Sequence, residues 1–220
     1  IVAGSKSACT TNCKVYLFAK GSSTPLWSYT TGDNVDAITI SADGEYIAAS
    51  AENDKLYLFN KNSSTPLWSF SSGSHWSTGI DISADGEYIV AGGGPNDKKI
   101  YLFDKDSSTP IWKYTTGHTV HSVSISADGD YIVAGSADDK VYFFDKDNNT
   151  PLWSYTTQHN VRSVSMSADG KYITAGSEDD NVYLFKNPLA PRPSVIPYGP
   201  SYNSSHLTIS HTLRWFAGSD

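Results

Sequence analysis

Short apolar segments alternate with polar residues along the whole chain, and none of them keeps a helical period. Residues 120–126 alternate apolar and polar side chains as a half-buried strand does. Ala127, Asp128, Gly129 and Asp130 then supply hairpin chemistry, with a glycine free to take positive φ. Residues 131–136 read as a second strand. Residues 141–144 follow as a third, after an acidic turn at Asp138 and Asp139. A polar stretch ends at Pro151, and residues 152–155 read as a fourth. β-Branched and aromatic residues dominate these segments and Asp-Gly turns punctuate them, so the pattern predicts an all-β chain.

The pattern repeats. Tyr16, Tyr57, Tyr101, Tyr142 and Tyr183 stand 41, 44, 41 and 41 residues apart, and Trp27, Trp68, Trp112 and Trp153 keep the same beat. Four short strands per unit at this period predict a β-propeller of four-stranded antiparallel blades. Residues 1–5 have the phase of 132–136, so the chain opens inside a unit. Residues 188–220 are rich in proline at first. Yet Tyr198 and Ile209 are 11 apart, as are Tyr29 and Ile40, and 207–210 mirror 38–41. The tail is therefore expected to be a degenerate repeat supplying strands D, A and B and helping to close the ring. Residues 1–220 then form one domain of about five blades, or a fragment of a seven- or eight-bladed propeller.

Composition narrows the function classes. With 39% hydrophobic and 13% aromatic residues, the cores rest on rings. A net charge of −7 with no basic cluster argues against nucleic acid. No apolar run approaches the roughly 18 residues of a membrane span, so no membrane insertion is expected. Cys9 and Cys13 flank a turn longer than in any sister unit; a disulfide there would imply an oxidising compartment, and two ordinary thiols are the alternative. Glycosylation patterns at Asn62, Asn148 and Asn203 lean towards an extracellular or cell-surface location.

Two family resemblances enter on these residues. The run from Val120 to Ser136, ending at Phe144 and Asp145, resembles a WD repeat, with Phe-Asp in place of Trp-Asp. The run from Tyr101 through Asp104, Pro110, Trp112 and Tyr114 is similar to the repeat of PQQ-type quinoprotein propellers. Both imply a propeller. The quinoprotein resemblance also implies a cofactor funnel and a calcium site, but no such constellation stands in the sequence. No catalytic residue, metal or cofactor is therefore assigned.

Comparing the repeats locates a candidate site. The A–B turn and the C–D connection barely change, whereas the D–A and B–C connections vary, and in an up-and-down blade those two emerge on one face. Loops on a rigid scaffold are where binding specificity sits. The entrance of strand A aligns Asp36, Thr78, His121, Arg162 and Ser205 around a channel mouth. His75, His118 and His159 fall on the same rim, Tyr202 lies in a variable loop, and Trp76 breaks the pattern as a candidate exposed anchor. The four recurring tryptophans read as packing residues.

The sequence thus points to a non-enzymatic binding scaffold whose variable face holds a protein or glycan partner, with oligomeric state undetermined. The alternatives are a PQQ-type or glycan-processing propeller enzyme and a structural segment of a surface protein.

Overall fold

The computed structural model describes residues 1–6, 12–73, 76–188 and 211–213, with 77, 78 and 211–213 described by backbone alone. Among them it is all strand and turn, in five antiparallel sheets. The first has three strands, β1 (Val2–Gly4), β2 (Lys14–Phe18) and β3 (Pro25–Thr30). The second runs β4 (Val35–Ile40), β5 (Tyr46–Ala51), β6 (Lys55–Asn60) and β7 (Trp68–Ser71). The third runs β8 (Trp76–Ile82), β9 (Tyr88–Gly93), β10 (Lys99–Asp104) and β11 (Trp112–Thr115). The fourth runs β12 (Val120–Ile125), β13 (Tyr131–Ser136), β14 (Lys140–Asp145) and β15 (Trp153–Thr156). The fifth runs β16 (Val161–Met166), β17 (Tyr172–Ser177), β18 (Val182–Lys186) and β19 (His211–Leu213). Strands pair in chain order within every sheet, which is the A-B-C-D meander of a propeller blade.

One expectation shifts. The tail does supply a strand D, but it is β19, pairing Leu213 with Val182 and His211 with Leu184. Residues 207–210, read above as a strand A, come directly before it and lie outside the described residues, as do 215–219.

Period-2 alternation along strand C gives every sheet two apolar faces. Val15 and Leu17 on one face of β2 pack with Tyr57 and Phe59 of β6. Leu56 and Leu58 on the other face of β6 pack with Tyr101 and Phe103 of β10. The same joint of aliphatic face to aromatic face recurs between β10 and β14, through Ile100, Leu102, Tyr142 and Phe144. Between β14 and β18 the first face carries a ring of its own, Phe143 beside Val141, against Tyr183 and Phe185. The core is thus four seams between sheets.

Polar groups lock each seam. Each described A–B turn is tied by its serine and aspartate: Ser126 Oγ donates to Asp128 Oδ1 at 2.6 Å and accepts the Tyr131 amide at 3.0 Å. Ser41 and Asp43, Ser83 and Asp85, and Ser167 and Asp169 do the same. Across the sheets, Ala42, Ala84 and Ala127 each donate an amide to the carbonyl of the next turn's alanine at 3.0, 2.9 and 2.8 Å. Each A–B turn is thus bonded to its neighbour as well as within itself.

The recurring tryptophans are packing residues, and they also clamp. Trp27, Trp68 and Trp112 donate Nε1–H to the carbonyls of Lys61, Lys105 and Lys146 in the following sheet, each at 2.7 Å. Trp112→Phe keeps most of the apolar contact and removes the donor. It is expected to cost about 1 kcal/mol, the net worth of one hydrogen bond, read as a shift of the urea midpoint at unchanged slope.

Candidate functional site

Each inner strand is distorted at one place. Pairing steps from Val35 to Ala37 in β4, from Val120 to Ser122 in β12 and from Val161 to Ser163 in β16. Asp36, His121 and Arg162 are the residues passed over. In β8 the step is longer, from Trp76 to Ile80, and it contains Thr78. A bulge leaves its residue out of the ladder and re-aims the side chain, and bulges gather beside functional sites. The sequence had aligned Asp36, Thr78, His121 and Arg162; the structure gives the reason they stand apart from their strands.

The bulged residues meet their neighbours on the rim. Arg162 donates Nη1–H to His121 Nε2 of the preceding sheet at 2.8 Å. Its Nε and Nη2 reach Glu178 Oε1 at 2.6 and 2.5 Å. Glu178 Oε2 accepts from Asn160 Nδ2 at 2.8 Å and lies 2.8 Å from His159 Nδ1. At the other end of the arc, Lys6 Nζ donates to Asp36 Oδ1 at 2.8 Å and approaches Glu52 to 4.0 Å. Asn34 Nδ2 there bonds Glu52 Oε2 at 2.9 Å. D–A residues (Asn34, His159, Asn160) and B–C residues (Glu52, Glu178) therefore bond one another, which puts the two variable loops on one rim.

Beneath the rim, the B–C turns are anchored. Asp138 Oδ2 accepts the Tyr142 hydroxyl at 2.7 Å and the Gly117 amide at 2.6 Å. Asp179 Oδ2 accepts from Tyr183 at 2.6 Å and from the Gln158 amide at 2.9 Å. Asp97 holds Tyr101 at 3.0 Å, and Asn53 serves Tyr57 at 2.7 Å. Burial first, then the aspartate beside it, pushes the Tyr183 hydroxyl up to about 12 and those of Tyr101 and Tyr142 further. Asp97, Asp138 and Asp179 thus fix the B–C turns to strand C.

Of the other candidates, His118 is exposed, its Nδ1 accepting the Thr119 amide at 2.9 Å. Its carbonyl takes the Thr116 and Ser136 hydroxyls at 2.5 and 3.2 Å. His75, Tyr202 and Ser205 lie outside the described residues, as does Cys9, and the side chain of Thr78 is not described. Cys13 is fully buried.

Trp76 is a correction. It is 4% exposed, not a surface anchor. Its ring packs 6.0 Å from Phe70 and 5.4 Å from Tyr101, and its Nε1 donates to the Asp54 carbonyl at 2.9 Å. In register it occupies the place of Val35, Val120 and Val161, opposite Gly93 where its sisters face Ala51, Ser136 and Ser177. A Cβ on Gly93 would meet the Asp97 side chain at 2.4 Å, so the glycine makes room for that carboxylate.

Sequence reasoning did not single out Glu178, Glu52 or Lys6 as site residues. The signal was available: Asn34 with Glu52 and Asn160 with Glu178 recur at the same place in two repeats, 18 residues apart in each. It also missed Asp81 on β8. That carboxylate accepts from the Ile82 amide at 2.9 Å, the Ser124 hydroxyl at 3.1 Å and the Ile125 amide at 3.0 Å, tying two inner strands together. Burial pushes its pKa up, against those bonds.

Chemically the rim is a network of polar side chains bonded to one another. Glu178 is held below its ordinary value, chiefly by the Arg162 bond, and its oxygens are already engaged. Among the described residues no group of three or more His, Cys, Asp or Glu side chains is placed to hold a metal ion. The rim carries a guanidinium, an ammonium, carboxylates and imidazoles, with Asp36, His121 and Arg162 on strands and Lys6, Glu52, His159 and Glu178 in the adjoining loops.

His121 gives the rim a pH dependence. Burial, then the Arg162 charge, lowers its pKa below the ordinary 6.5. A depressed histidine contributes its stability fully above the unfolded value and loses it as pH falls through the folded one. An NMR titration of the His121 ring is expected to show a midpoint below 6.5 that rises when Arg162 is replaced by alanine. A midpoint at or above the ordinary value would contradict the contact.

Comparison with known proteins adds one match. Residues 12–184 match the family model described as outer membrane protein assembly factor BamB. No curated protein matches the chain. Among the described residues, no helix is long and apolar enough to cross a membrane.

Proposed function

The chain belongs to the family described as outer membrane protein assembly factor BamB, and from that premise we propose that it is a non-enzymatic scaffold whose D–A/B–C rim holds a protein partner. The observation that carries this reading is the set of aligned bulges at Asp36, His121 and Arg162. Repeats that otherwise agree in register present unlike polar groups at that one place, a carboxylate, an imidazole and a guanidinium. Rigid inner strands hold them, and their mutual bonds pre-order them, which lowers the entropic cost of binding.

A protein fits better than a glycan. The aromatic side chain that offered a platform for a sugar ring, Trp76, is in the core. The family description names a factor in assembling outer membrane proteins, and this reading places the present chain outside the cytoplasm as well. A Cys9–Cys13 bridge would persist there. Intact mass before and after reduction tests it: a gain of two hydrogens supports the bridge, and no gain removes it.

The functional test is site-specific photocrosslinking in cell-envelope extracts, with the probe at position 162 on the rim or at 147 on the opposite, C–D face. Discrete protein adducts from 162 and none from 147 support the reading. Adducts from 147 alone, or none from either, overturn it. Once a partner is in hand, the double variant Arg162→Ala, His121→Ala is expected to weaken binding by roughly ten- to a hundredfold, as two central polar contacts do.

A further inference from the structure

Two of the glycosylation sequons lie in C–D connections, and the structure separates them; Asn203 lies outside the described residues. Asn62-Ser63-Ser64 and Asn148-Asn149-Thr150 occupy the same turn one residue out of step. Asn62 stands where other repeats have Asp106 and Asp147, and Asn148 stands where they have Ser63 and Ser107. The second of these places caps the turn. Its side chain accepts the amide two residues on: Thr24 to Ser22 Oγ at 3.1 Å, Thr65 to Ser63 Oγ and Thr109 to Ser107 Oγ at 3.0 Å, and Thr150 to Asn148 Oδ1 at 2.8 Å. The Asn148 carboxamide is thus committed to its own turn, and Pro151 directly after Thr150 stiffens the segment. The place before the cap is spared. Asn62 donates its backbone amide to Asn60 Oδ1 at 3.0 Å, while its side chain is exposed and has no hydrogen-bond partner among the described residues. That exposure belongs to the repeat and not to one sheet. Asp106, at the same place in a sheet with a four-stranded sheet on either side, has a side chain 80% exposed, and Asp147 is exposed as well.

We propose that Asn62 is a site of N-linked glycosylation and that Asn148 is not. The donor is a glycan carried on a polyprenyl phosphate or diphosphate. The Asn62 side-chain nitrogen attacks the anomeric carbon of that glycan. The new carbon–nitrogen bond forms as the bond to the phosphate oxygen breaks; the phosphate leaves with the electron pair and the nitrogen gives up one proton. A transferase has to draw the sequon into its own site. An exposed asparagine with a free carboxamide allows this, and one whose side chain is bonded into its turn resists it. The glycan lies on the C–D face, opposite the rim, so a bulky polar chain at Asn62 covers that face and leaves the rim to its partner. The inference rests on the reading that places the chain outside the cytoplasm, the side of the membrane on which such glycans are transferred.

Peptide mass spectrometry of the protein isolated from its own cells tests it, with the cytoplasm separated from the cell envelope and the medium. The expected result is a sugar-bearing peptide at Asn62 and an unmodified one at Asn148. Ser64→Ala keeps Asn62 and removes the sequon, so it is expected to abolish the modification. Ser64→Thr is expected to keep it, and Asn148→Gln to change nothing. An unmodified Asn62 on protein recovered outside the cytoplasm overturns this inference alone. An unmodified Asn62 on protein confined to the cytoplasm overturns the location along with it. A sugar on Asn148, or one on Asn62 that survives Ser64→Ala, overturns the argument from the turn.

Discussion

Phe143→Ala is expected to destabilise the protein by about 3–5 kcal/mol, the usual cost of emptying a large core site. Phe143 lies in β14, in the middle of the fourth sheet, and is fully buried. Its ring stacks on Tyr131 at 5.5 Å and 12°, and on Trp153 at 5.1 Å and 18°. It belongs to the cluster that Val161, Val164 and Tyr183 bring from the fifth sheet, so truncation opens a cavity in a seam that backbone strands on either side hold apart. The repeats supply their own controls. Leu17, Leu58, Leu102 and Leu184 occupy this position in the other sheets, so Phe143→Leu is expected to cost about 1–1.5 kcal/mol, in the range of conservative core swaps. Leu152→Ala, at a position 42% exposed, should stay within about 0.5 kcal/mol. Urea titration followed by tryptophan fluorescence gives all three. A loss for Phe143→Ala no larger than that for Leu152→Ala would mean that the seams do not hold the fold.

The repeat made much of this architecture legible in advance. Residues 131–136 were read as a strand and are β13, because a β-branched, aromatic segment between two turn signals has one reasonable conformation. The A–B turn was legible for the same reason, since Ser126, Asp128 and Gly129 act on one another within five residues. The site was half legible. Aligning Asp36 with His121 and Arg162 needed only the period. The bulge did not show, because it is a mismatch in count between two strands and neither strand carries it alone. Trp76 failed for a related reason. A break in a repeat was read as freedom from packing, but the break is compensated across space. Phe70, 6.0 Å from the ring, replaces the Tyr29, Tyr114 and Tyr155 of other units. A substitution accompanied by another at a neighbouring repeat position marks a repacked core. An isolated one would have marked a surface.

The second large effect separates a glycine's conformation from its neighbours. Gly129 and Gly44 stand at the same place in their A–B turns, with φ of +77° and +75°. Any L-residue is strained there, and alanine costs about 1 kcal/mol on that ground alone. The surroundings differ. A Cβ on Gly129 would lie 2.4 Å from Tyr88 Cδ2, whereas a Cβ on Gly44 meets nothing within 4 Å. Gly86 and Gly170 repeat the crowded case against Tyr46 and Tyr131. Tyr88 cannot give way freely, since its strand pairs with β10 and Lys146 Nζ sits 6.0 Å over its ring. Gly129→Ala should therefore cost about 2–4 kcal/mol, backbone strain plus the displacement of a packed ring, against about 1 kcal/mol for Gly44→Ala. Adding Tyr88→Ala to each then distinguishes the causes. Removing the ring is expected to erase the excess cost of Gly129→Ala and leave that of Gly44→Ala unchanged, because coupling needs contact. Equal losses for the two glycines, or an excess that persists without Tyr88, would show that the turn and not the seam sets the penalty. The glycine would then be serving its own hairpin alone, and the near-identity of the A–B turns would need no explanation from the sheet next door.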